Sequence, residues 1–370
     1  MSVSLLVAGG GTGGHLFPGV AVARELMARV PGATVTFVGT AAGIESRVIP
    51  REGLTLDTIR SAGLKGKSPV ALLRGLLLLP LSALDAWRVI SRRRPSVVIG
   101  VGGYSSGPVV GLAALRGIPT LLMEQNATPG LTNRLLSRLV RTAAVTYEES
   151  LATFGSKAFV AGNPVRPEFF APGSDAPAAS GRTRVLVFGG SQGAHAINVA
   201  MAEAAAPLAA ATPGVDVTHQ TGERDLAMVR EAYAAAGLAA RVEPFLYEMD
   251  REMRAADVIV CRAGATTLAE LTAAGRAAIL IPLPTATDDH QRKNADALVR
   301  QGAARVIDQR ELTGARLAEA LLGLARDGGA RHRMAEAARG LARPDAARVI
   351  VDKVLALAGY GQPPARRAGN

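Results

Sequence analysis

The chain has 370 residues, and at roughly 150 residues per domain this length predicts two domains. The composition, 48% hydrophobic and 20% charged, excludes a disordered or fibrous protein, and the single cysteine excludes a disulfide framework. The net charge of +11 is concentrated in the first half, where residues 1–162 carry 17 basic and eight acidic side chains. This asymmetry predicts that one half faces an anionic surface, and it argues against nucleic acid as a partner.

Apolar runs alternate with longer helical stretches in both halves, a pattern typical of a parallel α/β sheet with ligands at the carboxyl ends of its strands. In the first half, strands are predicted at 3–8, 34–39, 97–101, 118–123 and 142–146. In the second half, strands are predicted at 184–188, 215–219, 257–261, 277–281 and 304–307. We expect a first domain over 1–162, a second over 163–357 and a disordered tail over 358–370.

A glycine-rich loop follows the first predicted strand of each half. Residues 10–14 read GGTGG and residues 189–193 read GGSQG, so both match G-G-[Thr/Ser]-x-G and indicate a duplicated Rossmann-like domain. Such loops bring the backbone and a helix N-terminus close to a negatively charged group. The first loop also matches a dinucleotide fingerprint, but the next strand ends at Thr40 without the acidic residue that would hold the ribose of NAD.

A third glycine loop, at residues 102–108, follows another buried strand and reads GGYSSGP. It is either a tight strand-to-helix turn or a second anion site, with backbone N–H groups and two hydroxyls facing a phosphate. We favour the anion site, because two such loops in one domain suit more phosphate than a single nucleotide carries. The residues of this candidate site are Gly103, Tyr104, Ser105 and Ser106.

His15 closes the first loop, ahead of a helix predicted to begin near Gly19. A helix N-terminus disfavours the cationic form of a nearby imidazole, and a neutral imidazole can accept a proton from a sugar hydroxyl near neutral pH. Alternatively, His15 only caps the loop by hydrogen bonding. Since Ala194 occupies the matching position in the second half, the loop itself does not require histidine, which favours a catalytic role.

In the second half, the segment 265–274 predicts a helix that starts where a buried strand ends. Its N-terminus could receive a diphosphate, and Glu270 could bind a ribose diol through two hydrogen bonds. Equally, Glu270 could be an ordinary exposed helix residue. The histidines show no metal-ligand spacing and the sequence has no Asp-x-Asp pair, so we expect no metal.

Seven motifs occur in a characteristic order along nearly the whole chain. They are GGGTGGH at 9–15, GVGGYSSGP at 100–108, EQN at 124–126, GNPVR at 162–166, GGSQGA at 189–194, HQTG at 219–222 and CRAGATTLAE at 261–270. Over residues 3–357 the chain resembles the MurG-type transferases, the undecaprenyldiphospho-muramoylpentapeptide β-N-acetylglucosaminyltransferases of peptidoglycan synthesis. The resemblance implies the α/β GT-B fold, with two Rossmann-like domains whose parallel sheets face a deep inter-domain cleft.

The resemblance also implies a reaction and a location. The second domain would bind UDP-N-acetylglucosamine (UDP-GlcNAc), and the first would bind undecaprenyl-pyrophosphoryl-MurNAc-pentapeptide (lipid I). The C4 hydroxyl of MurNAc would attack C1 of GlcNAc with inversion, giving lipid II and UDP, with His15 as the base and no cofactor beyond the donor. The enzyme would lie on the cytoplasmic face of the cell membrane as a peripheral protein, and it would work with other cell-wall synthesis proteins.

The matching motifs carry the family's site residues onto this chain. The implied donor-site residues are Thr12, Gly13, Gly14, Asn126, Arg166, Ser191, Leu246, Ala265, Thr266, Thr267, Leu268, Ala269, Glu270 and Gln291. We assign the acceptor pyrophosphate to the third glycine loop, at Gly103, Tyr104, Ser105 and Ser106. Two residues depart from the family pattern: Ala263 replaces a serine, and His290 replaces a glutamine.

The segment 70–90 is rich in leucine and contains Pro80 and Trp87, and residues 60–94 carry eight basic side chains and one acidic side chain. It is either the buried core of a helix or, in part, a surface that binds anionic membrane headgroups. We favour membrane binding for a subset of these leucines, because the lipid-linked acceptor must be reached there. No apolar run is long enough to span a bilayer.

Two other functions remain open from the sequence. A UDP-N-acetylglucosamine 2-epimerase could share the fold, but it would have no use for a basic membrane-facing half. A non-catalytic nucleotide-sugar sensor would keep the second-half pocket and would not need His15.

Overall fold

The computed structural model describes residues 2–11, 13–61, 69–172, 181–190 and 192–361, without the side chains of residues 69–77 and Thr287. Of the predicted site residues, Thr12 and Ser191 lie outside the described residues, as do the basic Lys65 and Lys67 and the tail 362–370. The chain divides into two compact units. The first runs to Pro164 and resumes at Asp345, and the second is Val165–Pro344.

The first unit is built on a parallel sheet of seven strands. These are β1 (Ser4–Gly9), β2 (Thr34–Gly39), β3 (Thr55–Thr58), β4 (Val97–Gly102), β5 (Thr120–Glu124), β6 (Thr142–Val145) and β7 (Ala158–Val160). Their order in the sheet is β3-β2-β1-β4-β5-β6-β7. The central strands are apolar throughout because helices cover both faces of a parallel sheet.

The helices of the first unit lie on both faces of its sheet. They are α1 (Gly13–Arg29), α2 (Glu45–Arg51), α3 (Pro69–Arg93), α4 (Ser106–Leu115), α5 (Leu131–Leu136) and α6 (Leu151–Phe154). Leu16 and Leu26 of α1 pack in the core of one face, and Ile90 of α3 and Val110 of α4 pack in the core of the other. The helix predicted to begin near Gly19 begins six residues earlier, so His15 lies in its first turn.

The second unit repeats this architecture with six parallel strands. The strands are β8 (Thr183–Phe188), β9 (Val215–Gln220), β10 (Ala240–Glu243), β11 (Val258–Cys261), β12 (Ala277–Leu280) and β13 (Arg305–Val306). The helices are α7 (His195–Glu203), α8 (Ala205–Ala209), α9 (Leu226–Ala236), α10 (Met249–Ala255), α11 (Ala265–Ala274), α12 (His290–Arg300), α13 (Gly314–Arg326) and α14 (Gly328–Gly340). The strand order β10-β9-β8-β11-β12-β13 matches the first six strands of the other sheet, as the repeated glycine loop predicts.

The last helix, α15 (Ala346–Leu357), corrects the predicted domain boundaries. The sequence assigned it to the second domain, but it belongs to the first unit. Its apolar side, with Ile350 and Val354, is buried in the same core as α1, and Arg29 of α1 donates to Asp352 over 2.6 Å. The predicted tail also begins too early, because residues 358–360 close this helix by backbone hydrogen bonds.

Candidate active site

The two glycine loops of the first unit pack against each other backbone to backbone. Loop one (the described residues 9–11, 13 and 14) follows β1, and loop two (residues 102–106) follows β4. A Cβ atom on Gly9 would collide with the carbonyl oxygen of Gly102, and one on Gly103 would lie 2.5 Å from the carbonyl oxygen of Gly10. Gly103 also has a φ of +83°, which disfavours any other residue. The loops therefore form one surface at the carboxyl edge of the sheet.

His15 lies beside this surface and is held in one tautomer. Its Nδ1 lies 3.1 Å from Oε1 of Gln125, and Nε2 of Gln125 donates to the carbonyl oxygen of Val101 over 3.2 Å. Because the amide nitrogen donates to Val101, Oε1 must accept, and Nδ1 of His15 carries the proton. The neutral ring then presents the lone pair of Nε2, which is the arrangement that a general base requires.

The segment after β5 is organised by a buried carboxylate, Glu124. Its two oxygens accept from the backbone and side-chain nitrogens of Asn126 at 3.0 and 3.2 Å, from Gly130 N at 3.0 Å and from Asn133 Nδ2 at 2.9 Å. Asn126, predicted to touch the donor sugar, thus lies in the first unit next to Gln125. The sequence predicted no role for Glu124 or Gln125, although both belong to the EQN motif.

Loop two agrees only in part with the anion site that the sequence predicts. The ring of Tyr104 lies beside loop one, since a Cβ on Gly11 would be 3.3 Å from its Cε1 atom. The hydroxyls of Ser105 and Ser106 are buried and have no hydrogen-bond partner among the described residues. A Cβ on Gly100 would lie 2.6 Å from Oγ of Ser106, so this hydroxyl faces the sheet rather than a ligand. The prediction that both hydroxyls face a phosphate is therefore wrong for Ser106, whose N–H group instead opens α4.

In the second unit, the loop after β8 lies directly on the loop after β9. A Cβ on Gly193 would collide with the carbonyl oxygen of Thr221, and one on Gly222 would collide with that of Gln192. Gln220 ties these loops together, since its Nε2 donates to the carbonyl of Gly190 over 2.8 Å. This role of Gln220 was missed, although it lies in the HQTG motif.

Leu246, the predicted contact to uracil, is buried next to Gln220. Its N–H donates to Oε1 of Gln220 over 2.8 Å. The N–H group is therefore already used, and the carbonyl oxygen is the polar backbone atom left for a nucleotide base.

Helix α11 begins where the sequence predicted, and its N-terminus has no side-chain cap. Its first N–H groups are therefore suited to an anionic ligand, as predicted for Ala265, Thr266 and Thr267. Leu268 is a correction: its side chain is in the core and its N–H donates to the carbonyl of Gly264, so it has no polar group for a donor.

Glu270 is partly buried in the second turn of α11, so it is not an ordinary exposed helix residue. Burial raises the pKa of Glu270 to about 7, while the positive charge of Arg166 acts in the opposite direction. Arg166 itself lies 5.1 Å from the centre of the Phe169 ring. The structure thus places the charge of Arg166 close enough to Glu270 of α11 to act on its carboxyl group.

Gln291 joins two loops at the same edge of the second sheet. Its Oε1 accepts from the N–H groups of Ala263 at 3.2 Å and Leu283 at 3.0 Å, which leaves Nε2 to donate to a sugar hydroxyl. Ala263, which replaces the serine of the family pattern, is fully buried. Arg262 donates to the carbonyl of Ile281 over 3.1 Å and holds the loop in place.

Comparison with known families decides what these two units are. The N-terminal domain of glycosyltransferase family 28 matches residues 5–145, and its C-terminal domain matches residues 184–350. The chain belongs to glycosyltransferase family 28. The predicted glycosyltransferase activity and the predicted GT-B fold class are thereby confirmed.

Family 28 relatives extend the match over almost the whole chain. Proteins of Myxococcus xanthus and Geotalea uraniireducens are each 48% identical, over 95% of this chain and over 92% and 98% of their own lengths. Both are named UDP-N-acetylglucosamine–N-acetylmuramyl-(pentapeptide) pyrophosphoryl-undecaprenol N-acetylglucosamine transferase. The crystal structure of Acinetobacter baumannii MurG aligns with a TM-score of 0.80 at 32% identity, covering 96% of this chain and 99% of that one. The predicted MurG-type resemblance is confirmed.

Proposed function

We propose that this chain transfers GlcNAc from UDP-GlcNAc to the C4 hydroxyl of MurNAc in lipid I, giving lipid II and UDP in peptidoglycan synthesis. The observation that carries the proposal is the 48% sequence identity, over 95% of this chain, with transferases named for this reaction. The local geometry supports the proposal, since His15 of the first unit suits a base and the N-terminus of α11 in the second unit suits a diphosphate.

The donor is assigned to the second unit. The N-terminus of α11 and the guanidinium of Arg166 face the growing negative charge on the leaving UDP. Glu270 accepts the two ribose hydroxyls, the amide nitrogen of Gln291 donates to a sugar hydroxyl, and the carbonyl of Leu246 accepts from the base. Removing one donor of this kind typically raises a barrier by ~3 kcal/mol. We propose that these groups carry out the charge neutralisation without a metal.

The acceptor is assigned to the first unit. Its pyrophosphate lies against the N-terminal N–H groups of α1 and α4, so Gly13 and Gly14, predicted for the donor site, are assigned here to the acceptor. The C4 hydroxyl of the acceptor donates to Nε2 of His15. As this hydroxyl oxygen bonds to C1 of GlcNAc, its proton passes to His15, and the bond from C1 to the UDP oxygen breaks on the opposite face. Gln125 stabilises the resulting imidazolium, because its carbonyl oxygen already accepts from Nδ1.

Membrane contact is assigned to the outer face of α3, with α4 and α5 beside it. Ala86, Val89 and Ile90 lie on the buried side of α3, so part of the leucine-rich segment is core. On the outside, large apolar side chains are exposed on α3 and near α5; they are Leu79, Leu81, Leu84, Trp87, Leu131, Leu135 and Leu139. No helix in the described part of the chain is long and apolar enough to cross a bilayer.

Basic side chains accompany these exposed leucines. Arg88 and Arg92 of α3 are each 63% exposed, and Arg60 lies near them at a cavity of about 380 Å³ that all three line. Anionic headgroups attract basic groups near a surface by about 1 kcal/mol each. We therefore propose peripheral binding to the anionic cytoplasmic face of the membrane, where lipid I is available.

The test of this function is UDP release from UDP-GlcNAc with and without a soluble lipid I analogue. The proposal requires release that depends on the acceptor. Release without acceptor, accompanied by 2-epimerised sugar, would establish the epimerase instead. Binding of UDP-GlcNAc with no release under either condition would establish a sensor.

A further inference from the structure

Glu45 is a fully buried carboxylate that none of the motifs includes. It opens α2, behind loop one. Its Oε2 accepts from the N–H of Gly11 over 2.9 Å, and its Oε1 accepts from the N–H of Thr40 over 2.8 Å and from the Thr40 hydroxyl over 3.1 Å. One side chain therefore joins the end of β2 to loop one, whose Gly11 is 34 positions before Glu45 in the sequence.

The space around this carboxylate is made by glycines. A Cβ on Gly10 would lie 2.5 Å from Oε2 of Glu45, and Cβ atoms on Gly39 and Gly43 would collide with the Glu45 side chain. Loop one, the end of β2 and the start of α2 thus all approach Glu45 closely. A carboxylate held so tightly fixes the neighbouring backbone.

Burying this carboxylate costs free energy, because an isolated buried charge loses its hydration. Within the described part of the chain, no basic side chain pairs with it, and its hydrogen-bond donors are neutral. A fold that only needed to fill this space could do so with an apolar side chain at lower cost. Because Glu45 bonds directly to loop one, we look for its role in the conformation of that loop.

The hydrogen bond to Gly11 determines which way loop one presents its donors. The N–H of Gly11 points inward to Glu45, so it is not available to a phosphate. The negative charge behind Gly10 and Gly11 also disfavours an anion at this part of the loop. An acceptor pyrophosphate is therefore directed to the N–H groups that follow, at the start of α1, where His15 lies.

We propose that Glu45 is a positioning residue for the transfer reaction: its carboxylate holds loop one in the conformation that places the first turn of α1 and His15. This inference rests on the proposed role of His15 and deepens it. Misplacing a catalytic group by about 1 Å can cost ~10²-fold in rate. Glu45 itself touches no substrate, so its effect is exerted through loop one.

The test is the isosteric variant Glu45→Gln. A glutamine has one acceptor oxygen, so either orientation of its amide places an NH₂ group against the backbone N–H of Gly11 or of Thr40. Amide hydrogen exchange in the segment 11–16 should rise, and kcat should fall ~10²-fold. The KM for UDP-GlcNAc should stay within about twofold of wild type, since the donor groups belong to the second unit.

The matched control is Glu52→Gln, at the C-terminal end of the same helix. Glu52 pairs with Arg24 on the surface, where an ion pair contributes little. This variant should leave both hydrogen exchange at 11–16 and kcat unchanged. UDP binding measured by calorimetry checks that the second unit of each variant is folded.

Glu45→Gln overturns the proposal if either readout stays at the wild-type level: exchange at 11–16 or kcat. If Glu45→Gln does not fold, Glu45→Asp decides, because it keeps the charge but shortens the reach to Gly11. The proposal requires faster exchange at 11–16 and a lower kcat in that variant, and wild-type values for both would refute it. Failure of wild-type protein to transfer sugar refutes the proposed function separately, since hydrogen exchange needs no substrate.

Discussion

Nδ1 of His15 lies 3.1 Å from the side-chain oxygen of Gln125, a residue 110 positions away in sequence. Gln125 is itself fixed by its bond to the carbonyl of Val101, at the end of β4. A neutral amide that accepts from Nδ1 selects the tautomer with a free Nε2. The pair therefore suits a base that must be neutral before the reaction.

His15→Ala should lower kcat by roughly 10²–10⁴, the usual contribution of a general base, while the affinity for UDP-GlcNAc stays largely intact. Gln125→Leu should lower kcat by a smaller factor, because the base remains but its tautomer is no longer selected. Steady-state kinetics against a lipid I analogue measures both effects. His332→Ala, at an exposed position of α14, is the control and should retain wild-type kinetics.

A fall in kcat of less than tenfold for His15→Ala, with an unchanged acidic limb of its pH profile, would make His15 structural. The base would then be another residue.

The raised pKa of Glu270, about 7, predicts that donor binding depends on pH. The carboxylate accepts both ribose hydroxyls, so the Kd for UDP-GlcNAc should rise by about tenfold between pH 8 and pH 6, as the group becomes protonated. Isothermal titration calorimetry at several pH values measures this. Glu270→Gln should bind more weakly and lose the dependence, whereas Glu319→Gln, at an exposed position of α13, should bind as wild type.

The raised pKa of Glu270 also predicts how stability depends on pH. Donor binding should strengthen as the pH rises, whereas the stability of the protein without ligand should fall. Because the folded state raises the pKa of Glu270, the protonated form favours folding, and this stabilisation is lost as pH rises through about 7. Without ligand at pH 8, Glu270→Gln should therefore unfold at a higher urea concentration than wild type, and the difference should vanish near pH 4. A Kd that is constant from pH 6 to pH 8 would contradict the expected binding, and equal urea midpoints for wild type and Glu270→Gln at pH 8 would contradict the expected effect on stability.

Membrane binding should require the exposed apolar side chains of α3. Leu84→Ser with Trp87→Ser should reduce co-sedimentation with vesicles that contain anionic lipid, because the apolar surface that enters the acyl boundary is lost. Arg88→Gln should weaken binding by about 1 kcal/mol, an effect that added salt should remove. Val299→Ser, an exposed site in the second unit, is the control. Binding that does not depend on lipid charge, on salt or on these substitutions would show that α3 does not bind the membrane.

Chelation of divalent metals should not affect turnover. Arg166 and the N-terminus of α11 are proposed to carry the charge of the leaving diphosphate, so EDTA should leave kcat within about twofold of its value in magnesium-containing buffer. Loss of activity in EDTA that returns on adding Mg²⁺ would contradict this proposal. Arg166→Gln tests the same point from the protein side and should lower kcat with or without magnesium.

The sequence predicted the central strands of both sheets and missed β3, β7 and β10. Each of these three lies at the edge of its sheet. A strand at an edge is partly solvated, so β3 reads TLDT and β10 reads ARVE, without the continuous apolar run that marks a strand covered on both faces. Likewise, Pro18 lies inside α1. Because proline is common in the first turn of a helix, its position predicts a start of α1 that lies too late in the sequence.

The candidate site, like the fold, could be predicted from the sequence only in part. Glycine loops and α11 follow strands directly, so local sequence predicts their positions at the carboxyl edges of the sheets. Contacts such as Glu45 to Gly11 and Gln125 to His15 join distant segments, and no spacing within one motif encodes them. The direction of a side chain is also decided by packing, as the inward hydroxyl of Ser106 and the buried Leu268 show.

The most direct test of the proposed transfer is the structure of the product formed from UDP-GlcNAc and a soluble lipid I analogue, determined by mass spectrometry and NMR. The proposed mechanism predicts one GlcNAc added to the C4 oxygen of MurNAc in β configuration, inverted from the α-linked donor, with UDP released in equal amount. Free GlcNAc, a 2-epimerised sugar or an α-linked disaccharide as the main product would contradict it.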